Sequence, residues 1–154
     1  MTTVSGRSRS PADEPACSIE RSLQILGERW TLLILRELFR GRHRFADIRD
    51  ALGIAPNLLS ARLKTLVGAG VVRTLTYQEP GSRQRRSYHL TKAGADLSVV
   101  LGALQQWGDT HRPRPAGPSA LRRTRSTGEP VRVAFVGGDG REVAGEDVLL
   151  DARP

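Results

Sequence analysis

Apolar residues recur with a helical period from Ser18 onward. Ile19, Leu23 and Leu26 fall at i, i+4 and i+7, and Gly27 stands where a terminating glycine is expected, so the pattern predicts a first helix. Trp30, Leu32, Leu33, Ile34, Leu35, Leu38 and Phe39 run almost all the way round a second helix over residues 29–40, which places that helix at the centre of the domain. Phe45, Ile48 and Leu52 define a short third helix closed by Gly53. Only Gly53 to Ala55 is left as a turn. Pro56 suits the first position of a fourth helix, because a first-turn residue needs no backbone donor, and Leu59, Leu63, Leu66 and Gly70 mark one side of it. Behind Gly70 the period changes from helical to alternating. Val71 to Tyr77 and Arg85 to Leu90 read as two strands joined by the turn Glu79-Pro80-Gly81-Ser82. Thr91 caps a predicted long fifth helix with Leu97, Val100, Leu101, Leu104 and Trp107 as its apolar stripe, and Gly108 ends it. Val131, Val133 and Phe135 then alternate, Gly137-Gly138-Asp139-Gly140 turns, and Arg141 to Val143 returns as a small hairpin.

The order of three helices, a tightly linked fourth and a hairpin behind it is that of a winged helix-turn-helix: mainly α with a small β component, plus the C-terminal β-hairpin. The expected division is a disordered arm over residues 1–16, a DNA-binding and dimerisation domain over 17–108, a Pro/Arg-rich extended linker over 109–130 and a hairpin extension over 131–154. With Leu59, Leu63 and Leu66 assigned to the core, Asn57, Ser60, Ala61 and Lys64 occupy the opposite face of the fourth helix, with Arg62 at its side. Asn reads adenine bidentately, Ser reaches bases or phosphates, and Lys64 and Arg62 neutralise phosphates. Arg83, Gln84, Arg85 and Arg86 form a compact cationic tip on the wing.

Composition sharpens the partner. The 154 residues carry 24 Lys and Arg against 16 Asp and Glu, a net charge of +8, which makes a polyanion the first suspect. Only Lys64 and Lys92 are lysines, a bias that genome composition explains better than phosphate recognition does, since Arg is abundant in the tails as well as the middle. No apolar run is long enough to span a bilayer and the first 13 residues are polar, so the expectation is a cytoplasmic protein without a membrane partner. The single cysteine and the scattered His43, His89 and His111 offer no metal set, and no nucleophile elbow, phosphate loop or His-Glu motif is present, so neither cofactor nor catalytic residue is expected. The rival reading is a winged-helix protein-interaction module that does not bind DNA specifically.

The chain contains, in order, Cys17-Ser-Ile-Glu-Arg21, Gly27-Glu-Arg-Trp-Thr-Leu-Leu-Ile-Leu-Arg-Glu-Leu38, Arg44-Phe45-Ala-Asp-Ile48, Leu59-Ser-Ala-Arg-Leu-Lys-Thr-Leu66, Gly70-Val-Val72 and Tyr88-His-Leu-Thr-Lys-Ala-Gly94. Together these motifs resemble the HxlR-type bacterial transcriptional regulators. The resemblance spans residues 17–108. It implies a sequence-specific homodimeric regulator of double-stranded operator DNA, usually a repressor, dimerising through the first and fifth helices. It puts Asn57, Ser60, Ala61 and Lys64 in the recognition helix, with Arg83 and Arg85 on the wing. The apolar breadth of the fifth helix independently suggests an interface, unless that helix simply completes the monomer core. Some similar regulators carry paired cysteines in the C-terminal extension, whereas this one has none. Cys17 precedes the first helix, where the helix dipole and Arg21 favour a thiolate. The resemblance implies a redox or electrophile sensor there; the residue itself fits better as a small apolar helix-start side chain kept for packing.

Overall fold

The computed structural model describes residues 14–151, so the predicted arm over 1–16 lies, except for its last three residues, outside the described residues. The chain divides into two compact units, Met1–Asp96 and Leu97–Pro154. The first contains α1 (Ser18–Leu26), α2 (Arg29–Phe39), α3 (Phe45–Leu52), α4 (Pro56–Gly68), β1 (Val72–Tyr77), β2 (Arg85–Leu90) and α5 (Lys92–Asp96). Helix α2 is central, as its encircling apolar pattern predicts. Its Ile34, Leu35 and Leu38 are buried with Ile48 of α3, Leu59, Leu63 and Leu66 of α4, and Val71 and Val72 at the start of the wing. Of the α1 stripe, only Leu26 is buried, while Ile19 and Leu23 remain exposed.

The turn between α3 and α4 is set by two residues. Gly53 takes a left-handed conformation (φ 62°) that returns its N–H to the Arg49 carbonyl at 2.8 Å, and Pro56 then starts α4 without needing a backbone donor. Strands β1 and β2 pair antiparallel in the register Val72↔Leu90 to Tyr77↔Arg85. The segment before α3 adds a third, minimal strand: the Tyr88 N–H donates to the His43 carbonyl at 2.8 Å, and Arg44 bridges to Ser87. The wing is thereby hydrogen-bonded to the helix-turn-helix.

The motif Thr91-Lys-Ala-Gly94 closes this unit. The Thr91 hydroxyl donates to the Gly70 carbonyl at 2.6 Å and accepts the Gly94 N–H at 3.2 Å, capping α5 while holding it to the start of the wing. A Cβ on Gly94 would stand 2.2 Å from the Val71 carbonyl oxygen, so glycine is required there by close approach. The predicted single fifth helix is broken at Leu97 (φ −71°, ψ −4°), giving the five-residue α5 and then α6 (Ser98–His111). A residue that stays in the right-handed helical region keeps the apolar spacing across the break, which is why the pattern did not reveal it.

The second unit is α6 with the chain that follows it, including β3 (Phe135–Val136) paired antiparallel to β4 (Glu142–Val143) and a 3-10 turn at Gly145–Asp147. The hairpin occurs where alternation placed it. Residues 109–130, expected as an extended linker, carry hydrogen bonds to α6 within this unit, which begins at Leu97. The Gln105 amide donates to the Ala120 carbonyl at 2.7 Å, and the Gln106 amide makes a reciprocal pair with the Val133 backbone, both bonds 3.0 Å. Gly102 allows Val133 to approach the helix. Such amide-to-backbone contacts leave no hydrophobic period in the sequence, so composition alone made the segment look like a linker.

Candidate nucleic-acid interface

Helix α4 separates its residues as the pattern required. Leu59, Leu63 and Leu66 are buried, and Asn57, Ser60, Ala61 and Lys64 are all exposed. Ala55 is the N-cap and supplies no side-chain cap, so the first-turn amides of α4 have no side-chain acceptor of their own. Such amides, with the helix dipole behind them, suit an anion. Arg62 departs from the expected set. Its side chain is only 26% exposed and turns toward Glu28 between α1 and α2, at 3.6 Å, because its position on α4 lies beside the core leucines rather than opposite them.

On the wing, Arg83, Arg85 and Arg86 are exposed, and among the described residues none of them has a carboxylate within ion-pair distance. Glu79, the acid of the wing turn, is held by Arg44 at 2.6 Å, and the Arg44 guanidinium lies 4.9 Å from the Tyr77 ring centre. That pairing removes the negative charge that would otherwise offset the three arginines.

His43 and His89 stack between the α2–α3 loop and β2, with ring centres 4.4 Å apart. His43 Nδ1 faces the Tyr88 carbonyl at 2.9 Å, which requires the proton on that nitrogen. Partial burial, then the nearby His43 and Arg73 charges, hold His89 below its ordinary value, favouring a neutral ring at pH 7.

Glu37 escaped the sequence reading. It is 1% exposed near the C-terminal end of α2, where a carboxylate opposes the helix dipole, yet Arg36 donates to it at 2.7 Å, Arg40 at 3.2 Å, and Arg42 also pairs with it. Burial raises its proton affinity, but the Arg36 hydrogen bond and the charges of Arg36, Arg40 and Arg42 outweigh this and hold it below the ordinary carboxylate value. The Glu37 carbonyl also accepts the Arg42 N–H at 3.0 Å, so this residue fixes the loop leading to α3. One acid in a nearly apolar helix with arginines at 36, 40 and 42 was the available signal.

Cys17 is exposed and stands at the N-cap of α1. The Arg21 guanidinium, expected beside the thiol, donates to the Pro15 and Ala16 carbonyls, both at 2.7 Å, and to the Ser18 hydroxyl at 2.9 Å. Backbone oxygens in the turn outcompete sulfur for it. On α6, the face carrying Val99, Val100, Leu104 and Trp107 is exposed, at 60%, 42%, 49% and 56%. Among the described residues no cluster of metal-ligating side chains occurs, and no helix is long and apolar enough to cross a membrane.

A helix-turn-helix whose second helix exposes small hydrogen-bonding and cationic side chains, backed by a cationic wing, defines a DNA-binding transcriptional regulator. The chain belongs to the HxlR-like helix-turn-helix family, whose profile matches residues 25–115. It is 45% identical over 112 residues, 73% of this chain and 70% of the relative, to the uncharacterized HTH-type transcriptional regulator Rv3095 of Mycobacterium tuberculosis. The crystal structure of PA1607, a candidate transcription factor, is similar at 34% identity over 94% of this chain and 100% of that one, with a TM-score of 0.78. PA1374 of Pseudomonas aeruginosa, also a candidate transcription factor, aligns at 38% identity over 90% of this chain and 93% of its own, with a TM-score of 0.62.

Proposed function

We propose that this regulator is a homodimeric repressor that reads an inverted repeat, with α4 in the major groove and the wing against flanking backbone. The observation that carries the reading is the exposure of Asn57, Ser60, Ala61 and Lys64 on α4, opposite Leu59, Leu63 and Leu66. In this arrangement Asn57 and Ser60 read base edges, Ala61 lets the helix approach closely, and Lys64, Arg83, Arg85 and Arg86 neutralise phosphates. Arg62 acts from the protein side through Glu28, and is left out of the contact set. The exposed apolar faces of α1 and α6 support dimerisation, since a lone chain leaves Ile19, Leu23, Leu104 and Trp107 in water. Two-fold symmetry then spaces the half-sites about 10 bp apart, or a multiple of that. Bound across a promoter, such a dimer represses by occupancy rather than by catalysis. Cys17, exposed and at the head of α1, is where an oxidant would reach that interface, by joining two chains or by forming a small-thiol adduct.

A mobility-shift titration with the DNA upstream of the chain's own gene tests the placement. Asn57→Ala is expected to lose about 1–3 kcal/mol on the operator and to relax base preference. Replacing Arg83 and Arg85 by Gln weakens all sequences alike and flattens the salt dependence by about 0.9 in log–log slope per lost contact. Full operator affinity in a triple variant of Asn57, Lys64 and Arg83 rejects the placement, and no retarded band with wild-type protein favours an interaction module instead.

A further inference from the structure

The C-terminal unit carries its charge in two blocks. Residues 110–128 contain Arg112, Arg114, Arg122, Arg123 and Arg125 and no Asp or Glu, whereas residues 139–151 contain five carboxylates and only Arg141. Of the two acids that bound the basic block, Asp109 faces Arg122 at 3.9 Å, while Glu129 accepts the Thr127 hydroxyl at 3.2 Å and keeps its charge. Arg132 pairs with Glu142 inside the acidic block's hairpin. Arg112, Arg114, Arg123 and Arg125 are exposed and, among the described residues, have no carboxylate partner. Three of them are held by carbonyls: Arg112 by His111 at 3.0 Å, Arg114 by Gly117 at 2.6 Å and Arg123 by Gly128 at 2.9 Å. A carbonyl orients a guanidinium without cancelling its charge. The backbone beneath is held too, by the Gly117 N–H on the Arg114 carbonyl at 3.0 Å, the Gly128 N–H on the Thr124 carbonyl at 3.0 Å and the Gln105 amide on Ala120. Fixing these residues in advance lowers the entropy lost on binding an extended polyanion.

We propose that these arginines are a second DNA contact, which grips duplex phosphates without reading sequence. A phosphate backbone fits better than a protein partner. The residues between the arginines are Pro, Ala, Gly, Ser and Thr apart from Leu121, and the aromatic ring beside them is Trp107 of α6, whose centre lies 5.9 Å from the Arg112 guanidinium. Guanidinium forks match phosphate oxygens bidentately. The proposal rests on the DNA-binding reading of α4 and the wing.

The test is fluorescence anisotropy of the full chain on a labelled duplex of its upstream DNA, titrated between about 50 and 200 mM salt. One variant carries Arg112→Gln, Arg114→Gln, Arg123→Gln and Arg125→Gln, a second has Lys at the same four positions, and a third replaces Arg83 and Arg85 by Gln. With two to four phosphates contacted per chain, the first variant is expected to lower the magnitude of the log–log salt slope by about 2–4 for each chain bound, about 4–7 for a dimer, leaving the ratio of operator to unrelated DNA unchanged. The lysine variant, which keeps the charge, is expected to retain the wild-type slope. An unchanged slope in the glutamine variant overturns the proposal, including in favour of an acidic protein as the partner. So does equal loss in the lysine variant, which would trace the effect to the carbonyl bonds and not to charge. Failure of the underlying reading looks different: there the wild type shows no salt-dependent binding and the wing variant changes nothing.

Discussion

Replacing Glu37 by Gln probes the buried charge that organises the approach to the helix-turn-helix. The carboxylate is 1% exposed and takes hydrogen bonds from three guanidiniums whose side chains are 41%, 41% and 44% exposed. In a dry interior, breaking such a pair costs roughly 3–5 kcal/mol, since the remaining charge is stranded. Here the arginines can rehydrate, which screens the loss, while the glutamine still accepts one hydrogen bond but turns an N–H2 toward cations. The balance is about 2–4 kcal/mol of destabilisation at pH 7. The pH dependence gives a second handle. Because the folded-state affinity of Glu37 for protons lies below its ordinary value of 4.5, its contribution is complete above that value. It is then lost as the pH falls through the lower folded value. Urea unfolding of both proteins across this range, followed by circular dichroism, should show their stability difference shrinking on acidification. Taking the difference removes the parallel acid sensitivity of His89, which is present in both. A difference below about 0.5 kcal/mol at pH 7, or one that does not change with pH, refutes the account of Glu37 as a charged anchor.

Gly94→Ala should cost about 3 kcal/mol, the upper end of overpacking, because the added Cβ meets the Val71 carbonyl at 2.2 Å; a melting temperature equal to wild type contradicts this. Leu104→Arg, on the exposed apolar face of α6, should convert a dimer to a 16.8 kDa species in sedimentation without lowering the stability of the chain itself, and a wild type that sediments only at that mass rejects the interface. Operator affinity of the wild type should fall at least about tenfold on treatment with a disulfide-forming oxidant while Cys17→Ser is unaffected; identical behaviour of the two leaves Cys17 a structural residue.

The helices and wing of the first unit were legible because each depends on a local period. Ile34, Leu35 and Leu38 recur with α2, Leu59, Leu63 and Leu66 with α4, and Gly53 and Pro56 punctuate the turn between them; burying those residues left Asn57, Ser60, Ala61 and Lys64 outside by geometry alone. Tertiary structure decided whatever depended on partners distant in sequence. Arg62 stands at the side of α4 in a helical projection, and Glu28, far from it in sequence, draws it inward. His43 meets His89 only when the segment before α3 joins the wing. The second unit shows the difference most plainly. Gln105 and Gln106 bind Ala120 and Val133 through amide-to-backbone bonds, so α6 gives a polar face to its own chain and leaves Val99, Val100, Leu104 and Trp107 in solvent. Hydrophobic periodicity reports which side chains prefer to leave water, and it determined the elements here. Which surface covers them is set by directional hydrogen bonds and charges between residues far apart in the chain, and these have no period to read.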